Sequence, residues 1–367
     1  MDIKKTIDNF VVTLKESLKF GKQSFVGLDL GQNSVKIAQV APGNGKKLKL
    51  LKFGMAQLPE GAIVEDEVHN EEVIISTIKN LLATSKTDAQ ICAIGLKGPN
   101  TFTKRLTLAG GTPQEIEDQV VWEAEQYIPF DMETATLGFD NMGVNEGGGV
   151  DVLVAAAKND VVNRFKDLIE KTELRVKIVD MDLTAVINVF EVAGGQRLEN
   201  PNESFMILEI GAQKTNFVIY KNRKVFFTKE IPIGGGAVTE EIQRKMGVKY
   251  VEAEDLKKSG DEKGNLPEEI LKIIEEVLNN FLQEIQKTYD FYVSSTSDQS
   301  LAGCFTTGGG SQIPGIVEGL EAILGVAVSN LDVLSALDLD SKESKGWNLK
   351  DINHAGVVAI GLAMRGL

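Results

Sequence analysis

Histidine and cysteine are almost missing from this 367-residue chain, with two of each. His69 and His354 are too few for a multi-histidine metal site or a histidine-dependent triad. Cys92 and Cys304 lie far apart in sequence and form no metal-ligand spacing, two cysteines make no disulfide framework, and they read as small buried residues in a reducing compartment. Positive charge is also short: 39 Lys and Arg against 53 Asp and Glu give a formal net charge of −14. The extended basic surface that tracks a phosphate backbone is therefore missing, and nucleic acid is not expected as a partner. No apolar run reaches the ~18 residues that a bilayer span needs, and the opening MDIKKTIDNF is too polar for a signal peptide, so the cytoplasm is the expected compartment. The glycine signatures G-x-x-x-x-G-K-[ST] and G-x-G-x-x-G do not occur either.

What remains is ordinary globular material, 43% hydrophobic and 25% charged, in a length that allows two or three domains at roughly 150 residues each and a cleft between them. Ile3, Ile7, Phe10, Val11, Leu14 and Leu18 share one helical face with Lys4, Lys5, Lys15 and Lys19 outside it, which predicts an amphipathic helix docked on the body rather than a membrane anchor. Residues 24–30 and 35–40 read as a hairpin closed by a polar turn. A helix is expected over 70–84, a strand over 90–96, and a helix from Thr112 as N-cap with Pro113 at its first position. Strands at 136–144 and 150–156 and a helix at 160–172 complete a block that reads as a self-contained insert.

From Ser204 the opening theme returns: strand 205–210, polar turn 211–215, strand 216–220. Asp29-Leu30-Gly31 and Glu209-Ile210-Gly211 align at an offset of 180 residues, which internal duplication explains most simply. A long helix from Pro267 carries Ile270, Ile274, Leu278, Phe281 and Ile285 on one face. The strand 302–306, the run Gly308-Gly309-Gly310 and a small-residue helix at 357–364 follow.

Three glycine turns carry the chemistry. In the first, Asp29-x-Gly31-Gln32-Asn33-Ser34-x-Lys36, glycine permits a tight turn whose successive N–H groups face a phosphate, Lys36 adds a point charge, and Asp29 holds a metal through water. The second, Glu209-x-Gly211-Ala212-Gln213-Lys214-Thr215, offers the same geometry from the opposite side. The third, Gly308-Gly309-Gly310, gives bare backbone on which a nucleoside lies flat. Two duplicated phosphate turns followed by a glycine-rich turn resemble the α/β ATPase fold of actin, heat-shock protein 70 and the sugar kinases, a duplicated ribonuclease H-like unit.

Within that superfamily the chain resembles the PilM family of type IV pilus assembly proteins, related to the cell-division protein FtsA. The resemblance rests on 26–31 with Ser34-Val35-Lys36, on Glu123-Ala124-Glu125-Gln126-Tyr127-Ile128-Pro129-Phe130, and on Thr307-Gly308-Gly309-Gly310 with Ile313-Pro314-Gly315, and it covers 24–367. It implies ATP and Mg²⁺ as cofactors, phosphate contacts from the first two turns, metal contacts through water from Asp29 and Glu209, and adenosine contacts from Gly235, Glu254, Lys257 and Gly308 to Gly310. Glu209 departs from the family's usual aspartate. The extra methylene moves the carboxylate by on the order of an ångström against a Mg²⁺ shell that demands near-ideal octahedral geometry, so binding is expected to survive better than hydrolysis. No catalytic residue stands out, and within 180–190 no single water-positioning side chain does.

The implied organisation is subdomain 1A (24–90), an FtsA-type subdomain 1C (91–177), a connecting helix (178–203), subdomain 2A (204–236 and 301–345), subdomain 2B (237–300) and a C-terminal helix returning to 1A (346–367). The resemblance implies a groove at Trp122, Tyr127, Ile128 and Phe130 for the cytoplasmic N-terminal tail of PilN. It further implies other pilus platform components as partners, self-association, and a place at the cytoplasmic face of the inner membrane. By residue pattern alone, the aromatic set is local core of the insert. An FtsA-like cell-division protein is the alternative, against which the ending Met364-Arg365-Gly366-Leu367 shows no amphipathic membrane-targeting tail. A small-metabolite kinase of the same fold would need a catalytic base that cannot be singled out.

Overall fold

The computed structural model describes residues 24–367 apart from 46, 65, 146, 259–265 and 297, so the expected N-terminal helix lies outside the described residues. β1 (Phe25–Leu30) is buried along its whole length, as a near-continuous apolar run in mid-sheet should be. It heads an antiparallel meander with β2 (Ser34–Pro42) and β3 (Leu48–Gln57). A short hairpin of β4 (Ile63–Val64) and β5 (Glu67–Val68) follows. β6 (Ile91–Leu96) then joins β1 in parallel on the side away from β2. A separate antiparallel sheet of β7 (Thr101–Leu108), β8 (Ala135–Val144) and β9 (Val150–Lys158), with β9 central, interrupts the lobe before β10 (Arg175–Met181) pairs in parallel with β6.

The second lobe repeats this construction. β11 (Ser204–Ile210), β12 (Thr215–Lys221) and β13 (Lys224–Ile231) form the meander, and β14 (Leu301–Thr307) and β15 (Val328–Asn330) add in parallel beyond β11. The duplication read from the 180-residue offset is thus a duplication of strand order and direction. Both meanders turn alike: the Gly31 N–H donates to the Ser34 carbonyl at 3.0 Å, and the Gly211 N–H to the Lys214 carbonyl at 2.8 Å.

Two expected boundaries move. The insert does not run over 91–177, because β6 and β10 are hydrogen-bonded into the first sheet. The helix Asn159–Glu170 buries Leu168 and Ile169 against Val26 and Leu28 of that same lobe, so the separate block is the β7–β9–β8 sheet at 101–158 with the helix Pro113–Glu125 on it. That helix has the expected start, a capping box between Thr112 and Glu115 with proline in the first turn. The chain also returns to the first lobe earlier than 346, since β16 (Leu337–Leu339) pairs in parallel with β3.

Two helices line the seam between lobes, Asp182–Gly194 and the wholly buried Val357–Ala363. The second lies on β1 because Gly27 has no side chain: a Cβ there would sit 2.1 Å from the Ala359 carbonyl oxygen, and one at Gly361 would sit 2.0 Å from that of Ala185. In the second lobe, the helices Gly236–Met246 and Tyr250–Lys258 bury Val238, Ile242 and Ala253 against Ile270 and Ile274 of the long helix Glu268–Thr296.

Candidate nucleotide cleft

All three glycine turns open onto one cleft of about 940 Å³ between the lobes. In the first turn Gly31 leaves space for Lys36, whose Nζ would lie 3.0 Å from an added Cβ. Lys36 pairs with the buried Asp29 at 3.0 Å. Burial alone would raise the Asp29 carboxyl, but Lys36 and Lys97 outweigh it and hold its pKa below the ordinary value. The Gln32 amide donates to Asp66 of the same lobe at 3.4 Å, and the Asn33 amide reaches across the cleft mouth to the Tyr250 hydroxyl at 2.5 Å. Ser34 also lines the wall.

The floor is set by two residues that the sequence reading passed over. Lys97, directly after β6, has its ammonium 2.6 Å from Asp182 and 3.8 Å from Asp29. Asp182 fits behind it only because position 95 is glycine, where a Cβ would come within 1.9 Å of the carboxylate. Burial pushes Asp182 up to about 6 against the pull of Lys97. It pushes Glu209, which accepts the Asn216 amide at 2.8 Å, up to about 7. For Lys97, burial acts to lower the pKa, but Asp182 and Asp29 more than offset it and keep the ammonium charged.

The second turn is braced by Gly234 to Gly236. The Gly235 N–H donates to the Gly211 carbonyl at 2.9 Å and the Gly236 N–H to that of Ala212 at 2.5 Å, and a Cβ at Gly234 would meet the Gly211 oxygen at 2.5 Å. Ala212 and Gln213 line the cleft, as does Lys214, whose ammonium is committed to Asp66 at 2.5 Å and Glu230 at 2.9 Å. Thr215 corrects an expectation: it is fully buried and donates its hydroxyl to the Ile233 carbonyl at 2.7 Å, so it anchors the start of β12 rather than lining the cleft.

At the far end Gly308 adopts φ +84°, and Gly309 stands in open space on the cleft wall beside Gly310. The Gly308 N–H donates to the His354 carbonyl at 2.9 Å, tying this turn to the first lobe. Glu254 and Lys257 both line the cleft. Lys257 donates to the Gly235 carbonyl at 3.1 Å, to Thr239 at 2.7 Å and to Glu254, which spends its three N–H groups on bracing. Asp29 and Glu209 offer hard oxygen donors towards the phosphate end. Among the described residues no group of three or more His, Cys, Asp or Glu is arranged to hold a metal ion.

The four residues expected in a partner groove lie outside this cleft, on the insert. Trp122 is 65% exposed and Tyr127 46%, the latter with the Lys104 ammonium 3.5 Å from its ring centre. Phe130 is half-buried. Ile128 is a second correction: only 8% exposed, it packs with Leu106, Val120 and Val152 inside the insert and supports the surface instead of lining it.

Two lobes of one duplicated topology, closing glycine turns over a shared cleft, define an actin-like ATPase fold. The family model for the type IV pilus assembly protein PilM matches residues 27–367, and the chain belongs to that family. It is similar to the solved structure of a PilM-PilN type IV pilus biogenesis complex, at 26% identity and a TM-score of 0.81 over 94% of this chain and 99% of that one. It also resembles the ethanolamine utilization protein EutJ from Carboxydothermus hydrogenoformans, at 12% identity and a TM-score of 0.55 over 99% of both chains.

Proposed function

We propose that this pilus assembly protein is a nucleotide-responsive adaptor. ATP with Mg²⁺ occupies the cleft, and the insert binds the cytoplasmic N-terminal tail of PilN at the inner face of the membrane. The likeness to the protein of the PilM-PilN complex over 94% of the chain carries the partner assignment. The convergence of three glycine turns on one cleft supports the nucleotide. The turn amides that follow Gly31 and Gly211, whose own N–H groups are spent on closing the turns, face the phosphates, Asp29 and Glu209 hold the Mg²⁺ through water, and Gly308 to Gly310 carry the adenosine with Glu254 and Lys257 opposite. When bound, Mg²⁺ neutralises phosphate charge that the acidic floor would otherwise repel. Among the described residues no helix is long and apolar enough to cross a membrane.

Nucleotide at a hundredfold excess over its Kd should raise stability by about 2.7 kcal/mol. A thermal melt unmoved by Mg-ATP, with Asp29→Ala behaving identically, sinks the nucleotide assignment. Calorimetry with a PilN tail peptide, with and without nucleotide, tests the link between the two sites.

A further inference from the structure

The edge strand of the second lobe is fastened to the insert along its length. Every second residue of β13 from Lys224 to Glu230 makes a contact there. Lys224 reaches Asp151 of β9 at 3.5 Å and the Val144 carbonyl at 3.3 Å. The Arg105 guanidinium of β7 lies 4.1 Å from the Phe226 ring centre. Thr228 donates its hydroxyl to the Thr103 carbonyl at 3.0 Å. Glu230 accepts the N–H of Gly98, at the root of the insert, at 3.2 Å.

Glu230 has a second task. It holds Lys214, the lysine of the second phosphate turn, at 2.9 Å, while Asp66 of the first lobe holds the same ammonium at 2.5 Å. Lys214 therefore lies where a polyphosphate competes for it with two carboxylates. At the other end, Lys104 of β7 stands over the exposed Tyr127 ring.

We propose that β13 transmits the state of the cleft to the outer face of the insert, with Lys214 and Glu230 as the positioning pair. Without a ligand, Lys214 bridges Glu230 and Asp66 and pins β13 to the insert root. Phosphates draw the ammonium towards themselves, and Glu230 keeps only the Gly98 N–H, so β13 and β7 shift as one packed unit beneath Lys104 and Tyr127. These are two arrangements of one element on which two separate sites act, the minimum that coupling between sites requires. The inference rests on the nucleotide assignment above and adds the route by which the ligand is felt.

Hydrogen–deuterium exchange on the full chain tests it, with and without Mg-ADP, in the wild type, Thr228→Val and Lys224→Met. Neither substituted residue lines the cleft. In the wild type, nucleotide should change exchange both in the turns at 31–34 and 211–214 and in the strand at 101–108. In each variant the turns should still respond while the response at 101–108 is lost. Persistence of that response in both variants, or a wild type whose turns respond while 101–108 does not, overturns the proposal and leaves nucleotide binding standing. Turns that do not respond in the wild type remove both.

Discussion

Adjacent glycines of the third turn should fail in opposite ways when each is given one methyl group. Gly308 has φ +84° and ψ 163°, a region open essentially to glycine, where a side chain costs about 1–3 kcal/mol. A Cβ there would also sit 2.4 Å from the Ile210 carbonyl oxygen and 2.8 Å from its carbon. Both are backbone atoms of a buried mid-sheet strand that cannot rotate away, so overlap adds about 1–3 kcal/mol. Gly308→Ala should therefore lose about 3 kcal/mol or more. With an unfolding entropy of roughly 2.1 cal/mol/K per residue over this length, the midpoint falls by about 4 °C. At Gly309 an added Cβ meets nothing within 4 Å, so Gly309→Ala should melt as the wild type does. Its methyl projects from the wall on which the adenosine is placed, and nucleotide affinity should fall by about tenfold, the equivalent of about 1.4 kcal/mol. Thermal melts of the two proteins, followed by calorimetry with Mg-ADP, read both quantities. A Gly308→Ala protein as stable as the wild type refutes the steric reasoning. A Gly309→Ala protein that binds nucleotide normally removes the third turn from the ligand site.

The exposed and buried aromatic-segment residues should separate in the same manner. Trp122→Ala should change stability by no more than about 0.5 kcal/mol and weaken calorimetric binding of the PilN tail by at least about tenfold. Ile128→Ala should cost about 3 kcal/mol through a cavity in the insert, visible in a denaturant melt. Asp298 gives a pH test far from the cleft. Burial would raise its carboxyl, but Ser300, Tyr292 and Lys221 hold it down to about 2. A folded pKa depressed below the unfolded value contributes stability above pH ~4 that is lost as pH falls towards ~2, here about 2 kcal/mol. Urea melts of Asp298→Asn should accordingly show that deficit at pH 7, shrinking as the pH is lowered through this window.

Much of the fold could be read from local patterns because the duplication is local. The unit of strand, glycine turn and strand repeats with its own hydrogen bond, Gly31 to Ser34 and Gly211 to Lys214, and Thr112-Pro113 announces its helix. The floor of the cleft could not be read that way. Lys97 and Asp182 stand 85 residues apart and meet because β6 and β10 run parallel with Asp180 opposite Gly95 and Met181 opposite Leu96, which carries the next residue of each strand to the same level. The same pairing is why the insert is narrower than expected: Ile91–Leu96 and Arg175–Met181 flank it in sequence but belong to the first sheet. Thr215 and Ile128 were misplaced for a related reason, since a sequence motif does not state which of its members turns inward.

A net charge of −14 first served to exclude nucleic acid as a partner. The cleft gives that figure a local meaning. Lys36, Lys97, Lys214, Lys257 and Lys258 all line it, and each already holds a carboxylate: Asp29, Asp182, Asp66 with Glu230, and Glu254 for the last two. Lys350 also lines the cleft and is the one lining lysine in no ion pair among the described residues; for the other five, a polyphosphate gains lysine contacts by exchanging partners with carboxylates already there. The exchange at Lys214 releases two acidic side chains whose other contacts lie elsewhere: Asp66 on the first lobe, Glu230 on the strand fastened to the insert. Under the function proposed above, nucleotide binding would displace Lys214 from Asp66 and Glu230, and that exchange is the physical basis on which the cleft would act on the insert.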